Sequence, residues 1–143
     1  MAKGIILTCH GHLATGLYST IKMIAGEFDN LRICEFHEGD NFENLDEDLV
    51  KAYESLGAYK DVVVLTDLAG GTPFNRSVMN LSEKNNIEFL AGVNFAMLYE
   101  ALSSDIDDMK EFIEDVIETS HNSIVHYQND QKDNDEEDFS DGI

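Results

Sequence analysis

Apolar residues along this chain recur at two alternating spacings. Gly4–Cys9 (GIILTC) is a short run without polar alternation, the pattern of a strand covered on both faces. Leu13, Leu17, Ile21 and Ile24 then recur three and four residues apart, which predicts an amphipathic helix stopped by Gly26. Leu31–Phe36 reads as a second strand, interrupted by Arg32 and Glu35. Phe42, Leu45, Leu49, Tyr53 and Leu56 mark a second helix ending at Gly57. Asp61–Thr66 (DVVVLT) is the plainest strand, since branched valines suit a packed sheet. Pro73, the only proline, is expected to open a third helix, because its ring pre-sets the backbone of a first turn. Ile87–Ala91 gives a fourth strand, followed by a helix over 95–102. Met109, Phe112, Ile113, Val116 and Ile117 stripe a last helix whose other face is acidic.

Strand and helix alternating in this way imply parallel βαβ units with right-handed crossovers. The expected fold is α/β: an open, mostly parallel sheet of about four strands in the order 2-1-3-4, with helices on both faces. In such sheets chemistry gathers beyond the carboxyl ends of the strands, where strand order reverses. The loops to inspect are therefore Cys9–Leu13, Phe36–Asn41, Asp67–Pro73 and Gly92–Asn94.

Charge divides the chain in two. Residues 128–143 hold seven acids against Lys132 and almost nothing to bury, which reads as a disordered acidic tail behind a domain spanning 1–127. The whole chain has 29 acidic and 9 basic residues, a net charge of −20, so the body is acidic without the tail. Nucleic-acid backbones and anionic membrane surfaces need basic patches and are excluded as partners. No apolar run approaches the roughly 20 residues of a membrane span, and no secretory signal opens the chain. Two cysteines, Cys9 and Cys34, make no disulfide framework, which fits a cytoplasmic protein.

Two loops carry residues capable of chemistry. His10 follows the first strand and Asp67 follows the third, so the two face each other if those strands are neighbours. A carboxylate there accepts a hydrogen bond from one imidazole nitrogen, fixes the tautomer and leaves the other nitrogen as a nucleophile. Gly70 and Gly71 let backbone amides approach a ligand closely, and Thr72 is placed as the N-cap of a helix whose N-terminus cradles anions. Singly, Asp67 reads first as a plain turn residue, and Gly70-Gly71 equally as a simple turn into a helix. Together they suggest a nucleophile, its orienting carboxylate and a phosphate site, and hence a phosphorylated histidine.

Competing chemistries lack their residues. Neither G-x-x-x-x-G-K-[ST] nor G-x-G-x-x-G occurs, and no acidic pair follows the first strand to hold the metal of a phospho-aspartate site. Cys9, His10 and His12 have no further ligand at metal-binding spacing, so neither a metal nor another cofactor is expected. Cys9, inside an apolar strand, reads as a small buried residue rather than a nucleophile, and Cys34 as core. His37, His121 and His126 show no partner pattern and read as solvent-facing, with His37 in a loop on the active edge.

Thr8-Cys9-His10-Gly11-His12-Leu13-Ala14-Thr15-Gly16 and Asp67-Leu68-Ala69-Gly70-Gly71-Thr72-Pro73-Phe74-Asn75 resemble the IIA component of the mannose-type sugar phosphotransferase system. Gly26-Glu27, Phe36-His37-Glu38-Gly39-Asp40, Gly92-Val93-Asn94 and Met97-Leu98 with Glu100 extend the likeness in the family's order. Ala96 departs from it, standing where members often carry proline, away from the expected phosphate site. The resemblance implies that His10 accepts a phosphoryl group from the carrier HPr and passes it to the IIB component, which serves the membrane components IIC and IID. It implies that Asp67 orients His10 and that the backbone at Gly70, Gly71 and Thr72 receives the phosphate. It also implies a homodimer that exchanges a C-terminal edge strand, for which Ser123–Tyr127 (SIVHY) is the candidate, read otherwise as the end of the last helix. Related domains act as phosphoryl donors to dihydroxyacetone kinase or sit in transcription regulators. The chain shows no IIB, DNA-binding or second carrier segment, which favours a free-standing IIA over either.

Overall fold

The computed structural model describes residues 1–129; the tail expected over 128–143 lies, from residue 130 on, outside the described residues. The elements run β1 (Gly4–His10), α1 (Leu13–Ala25), β2 (Leu31–Phe36), α2 (Phe42–Ser55), β3 (Val62–Thr66), α3 (Thr72–Leu81), β4 (Ile87–Ala91), α4 (Phe95–Ser103) and α5 (Met109–Asn122). The strands form one parallel sheet in the order β2-β1-β3-β4, as expected.

Position in the sheet explains the strand patterns. β1 and β3 are internal, and both are buried almost throughout, so both faces must be apolar. β2 and β4 are edges and tolerate polar residues. Arg32 uses that freedom to bond Ser55 Oγ at 2.8 Å and the Asp29 carbonyl at 2.9 Å. Alternate strand residues feed two cores. Ile5, Leu7, Cys9, Val63 and Leu65 pack with α1, α4 and α5, whereas Ile6, Val62 and Val64 pack with α2 and α3. Helices therefore cover both faces.

The chain leaves β1 for β2 on one side and returns past it to β3 on the other. The switch point falls between the carboxyl ends of β1 and β3, where His10 and Asp67 stand.

One expectation needs correction. Gly71, not Thr72, is the N-cap of α3; Thr72 is the first helical residue, Pro73 the second, and no side chain caps this end. The extended backbone of Gly71 (φ −73°, ψ 169°) already supplies the cap geometry, so the helix starts one residue early. Within one chain Ser123–Tyr127 forms no strand: α5 stops at Asn122, Ser123 caps it, and residues 124–128 have no regular structure, so an exchanged strand would need a second copy.

One feature had no sequence signal. Lys3 is 2% exposed, its ammonium donating to Asp61 Oδ2 at 3.2 Å and to the Asp107 carbonyl at 2.8 Å over the Phe112 ring. The pairing, with two acceptors, is what permits a buried ammonium.

Between α4 and α5, the Glu100 and Asp115 carboxyl groups oppose each other. The hydrogen bond with Asp115, partial burial and the neighbouring negative charge push Glu100 up to about 7. A carboxyl whose pKa is raised on folding binds more protons in the native state, so its contribution is lost as pH rises from about 4.5 to about 7. Glu100→Gln should therefore raise the melting temperature at about pH 8 by a few degrees, a screened effect of about 1 kcal/mol for a partly exposed group, and change it little at about pH 5. Thermal unfolding at the two pH values checks this; an equal shift at both would remove the carboxyl pair as its cause.

Candidate active site

The β1–β3 register pairs Thr8 with Thr66, so His10, at the end of β1, stands close to Asp67, the residue after β3. His10 Nδ1 lies 2.8 Å from Asp67 Oδ2, and the backbone N–H of His10 donates to the same oxygen at 3.0 Å. The other carboxylate oxygen accepts the Leu68 N–H at 3.0 Å. Both oxygens of Asp67 are thereby fixed. Burial alone would push the Asp67 carboxyl up, but the side-chain and backbone hydrogen bonds from His10 outweigh it and hold the group below its usual range. An ionised Asp67 accepts from Nδ1–H, which assigns that tautomer and leaves Nε2 with its lone pair free.

The ring is wedged on two sides. Phe36, opposite His10 in the β1–β2 register, meets it edge-on at 6.2 Å between centroids. Gly71 closes the other side: a Cβ there would stand 2.8 Å from His10 Cε1 and 3.5 Å from Nε2. Only glycine permits this approach, and Gly70, at φ +81°, turns the chain into it. Asn75 donates to the Gly70 carbonyl at 3.0 Å and braces the turn.

Gly71 N–H is spent on the Leu68 carbonyl at 3.0 Å, so its part is spacing. Thr72 and Phe74, in the first turn of α3, have amides with no partner inside the helix, while Pro73 has none to offer. These amides follow directly on Gly71, which packs against the His10 ring, and the positive end of such a helix suits an anion. The nearby cation is withdrawn: Arg76 grips Asp46 through two nitrogens, Nε at 2.9 Å to Oδ1 and one terminal nitrogen to Oδ2, and lies over Phe42. The cradle is therefore built of neutral amides.

His10, Asp67, Gly70, Gly71 and Thr72 are thus brought together. Cys9 and Cys34 are not part of the site; both are buried, and burial pushes each thiol up to about 12, far from a reactive thiolate. Sequence reasoning missed Phe36, Asn75 and a second cluster. His37, read as lacking partners, has its Nε2 2.9 Å from Glu35 Oε1 and its backbone N–H on Asp40 Oδ2 at 2.7 Å. His12 Nδ1 lies 3.5 Å from the same Glu35 oxygen. The hydrogen bond from Thr15, opposed by desolvation and aided by His37 and the nearby imidazoles, holds Glu35 below its usual range. Glu35-x-His37 at the end of a strand was the signal available, since residues two apart share a face.

A histidine locked by a carboxylate at the switch point of a parallel α/β sheet, facing a glycine turn and a helix N-terminus, defines a class of single-histidine α/β proteins. Comparison with known proteins makes the class specific. The family model described as "PTS system fructose IIA component" matches residues 4–119. The mannose-specific EIIAB component of Escherichia coli K12 is 33% identical over 87% of this chain, which spans only 39% of that protein's length. The fructose-specific EIIA component of Bacillus subtilis is 32% identical over 69% of this chain and 68% of its own. Among solved structures, the phosphotransferase system component EIIA from Streptococcus agalactiae superposes with a TM-score of 0.78 at 33% identity, covering 88% of this chain and 97% of that one. The mannose/sorbose-specific IIA subunit from Enterococcus faecalis gives 0.80 at 26% identity, covering 90% and 96%. The chain belongs to the mannose-type IIA components of the sugar phosphotransferase system.

The assigned tautomer is checked by long-range proton–nitrogen NMR on His10. The protein should show Nδ1–H with a bare Nε2, Asp67→Ala should mix the tautomers, and Gly71→Ala should shift the ring resonances without unfolding the protein. A ring with Nε2–H in the unsubstituted protein would overturn the assignment.

Proposed function

We propose that this protein is a cytoplasmic phosphocarrier that takes a phosphoryl group from phospho-HPr onto His10 Nε2 and hands it to a IIB component. The observation that carries the reading is the 2.8 Å contact between His10 Nδ1 and Asp67 Oδ2, which leaves a single nitrogen, Nε2, directed toward the start of α3.

The transfer follows from that tautomer. The Nε2 lone pair attacks phosphorus as the P–N bond to the donor histidine breaks, and the bond electrons return to the donor imidazole. No proton need leave His10: the proton stays on Nδ1, hydrogen-bonded to Asp67, and the imidazole takes up positive charge as Nε2 becomes bonded to phosphorus. Asp67, ionised and held by three N–H donors, balances that charge. The phosphoryl oxygens meet the amides of Thr72 and Phe74, which the glycine turn of Gly70 and Gly71 lets approach the ring. Because Arg76 is committed to Asp46, the site stabilises the phosphoryl group through neutral donors and releases it as readily as it accepts it.

Protein partners have a surface to meet. Leu13, Phe42 and Leu68, all at the carboxyl edge of the sheet, are 43%, 48% and 60% exposed. With the acidic side chains around them, they suit a partner with a basic rim and an apolar centre, so transfer should slow as salt rises. The IIC and IID membrane components are reached only through IIB, and residues 128–143 are dispensable for transfer in this reading.

The test is reconstitution with phosphoenolpyruvate, enzyme I and HPr. One acid-labile, base-stable phosphate per chain is expected, absent in His10→Ala and formed on the order of 100-fold more slowly in Asp67→Ala. A label that survives His10→Ala refutes the reading.

We also propose a homodimer built on the C-terminal segment. Ile124 and Val125 are 80% and 81% exposed beside a cavity of about 360 Å³ lined by Leu90, Ala91, Met97 and Ile117, next to the open edge of β4. Pairing of this segment with the β4 edge of a second copy would satisfy both. Light scattering should give twice the 16.0 kDa chain mass, and truncation after Asn122 should give monomers; a monomeric full chain would end the proposal.

A further inference from the structure

The phosphotransfer reading gives no role to His12, Glu35 and His37, yet the fold brings them together. Parallel pairing sets Cys9 beside Glu35 and His10 beside Phe36, so the loop after β1 and the end of β2 meet at the carboxyl edge. Two imidazoles converge there on one carboxylate oxygen: Glu35 Oε1 lies 2.9 Å from His37 Nε2 and 3.5 Å from His12 Nδ1. The two rings are 4.8 Å apart between centroids, and one donor atom from each of the three residues lies within 4.8 Å of the others. The geometry points to a site for a divalent transition-metal ion of the zinc class, with His12, Glu35 and His37 as its three protein ligands.

Distance, support and charge each favour an ion over a mere hydrogen-bonded cluster. Tetrahedral zinc with bonds of about 2.0–2.1 Å separates its ligand atoms by about 3.3 Å, between the two shortest separations here. The third edge closes by rotating His12, whose side chain is 82% exposed and free to turn. The fourth position faces solvent and suits water. Behind the ligands stand the partners that metal sites use to orient them. Thr15 Oγ1 donates to Glu35 Oε2 at 2.6 Å and so presents Oε1 to both imidazoles. Asp40 Oδ2, held by the His37 backbone N–H, lies 3.7 Å from His37 Nδ1 and can take the proton there, leaving the Nε2 lone pair to the metal. Two neutral imidazoles and a carboxylate, with Asp40 behind, leave net negative charge in a chain already at −20, which draws a cation. His10 is not a ligand, since Nδ1 is committed to Asp67 and Nε2 faces Gly71.

The site does not depend on the phosphotransfer reading, and its test requires no phosphoryl transfer. The full chain, stripped with a chelator, is titrated with cobalt(II) and read by visible absorption, and with zinc(II) read by calorimetry. One equivalent of cobalt should give the intense bands of a tetrahedral ion, and zinc should displace it, as the affinity order requires. His12→Ala and His37→Ala should each weaken binding by more than the roughly 10–100-fold that loss of a supporting partner costs, and Thr15→Val by about tenfold. His10→Ala, His121→Ala and His126→Ala should leave affinity unchanged. Circular dichroism melts confirm that each variant is folded, and His12, exposed and in a loop, is the variant that decides. Absence of a tetrahedral spectrum, several weak equivalents unaffected by His12→Ala, or binding lost in His10→Ala would each overturn the proposal.

Discussion

The hydrogen bond between His10 and Asp67 depends on the level at which β1 and β3 end, and most of the site depends on it in turn. The register pairs Thr8 with Thr66, so one further residue on β3 and two on β1 bring the carboxylate under the imidazole. A slip of one residue would turn the His10 side chain to the opposite face of the sheet, toward α1. That register is secured far from the chemistry, by valines and isoleucines buried on both sides of the two internal strands. Packing energy spent along the sheet thus appears at its edge as a fixed tautomer. The same bond explains why the glycine turn must come so close: with Nδ1 held below, the ring can present Nε2 only toward Gly71, where a methyl group would collide with it.

Much of this was legible in the sequence because burial has a period. The two internal strands showed as uninterrupted apolar runs, and the helices as stripes, so the sheet and its active edge followed directly. His10 and Asp67 were found for the same reason: each is the first polar residue of consequence after such a run. What could not be read is non-local. Whether Gly71 serves a tight turn or a tight approach depends on a ring 61 positions earlier in the chain. Lys3 looks like an exposed terminal residue until Asp61 and the Asp107 carbonyl, distant in sequence, are folded around its ammonium. The helix start at Thr72 moved by one residue because a glycine in extended geometry competes with a threonine for the same cap, a difference beneath what spacing encodes. For Ser123–Tyr127 the pattern of apolar residues suits a strand, but a strand needs a partner, and within one described chain the segment pairs with neither sheet edge.

Acidity acts differently at long and short range. Over the whole molecule it excludes polyanionic partners and draws basic ones. At His10 it is held off: the one carboxylate is saturated by N–H donors, and the charge of Arg76 is matched by Asp46. In the proposed transfer, a phosphoryl group arriving there would meet neutral dipoles inside an acidic rim. Strong cations would bind it too firmly to let go, and free carboxylates would repel it; amides at a helix end avoid both, which is what a relay with little net driving force requires.

The two imidazole–carboxylate groupings at this sheet edge are made of the same parts and differ in what surrounds them. Asp67 offers a single oxygen to one histidine, and the free nitrogen of that histidine looks toward the N-terminus of α3. Glu35 offers one oxygen to two histidines, and Asp40 stands behind one of them instead of a helix dipole. In the first case the bare lone pair sits in a field that favours an incoming anion, which suits the nucleophilic role proposed for this histidine. In the second the lone pairs point into a field of carboxylates that favours a cation, so the same imidazole chemistry becomes coordination. Both environments descend from the topology: the chain turns from β3 into a helix through glycines, but from β2 into an acidic loop, so the local sign of the field is fixed by which neighbouring strand end each imidazole faces.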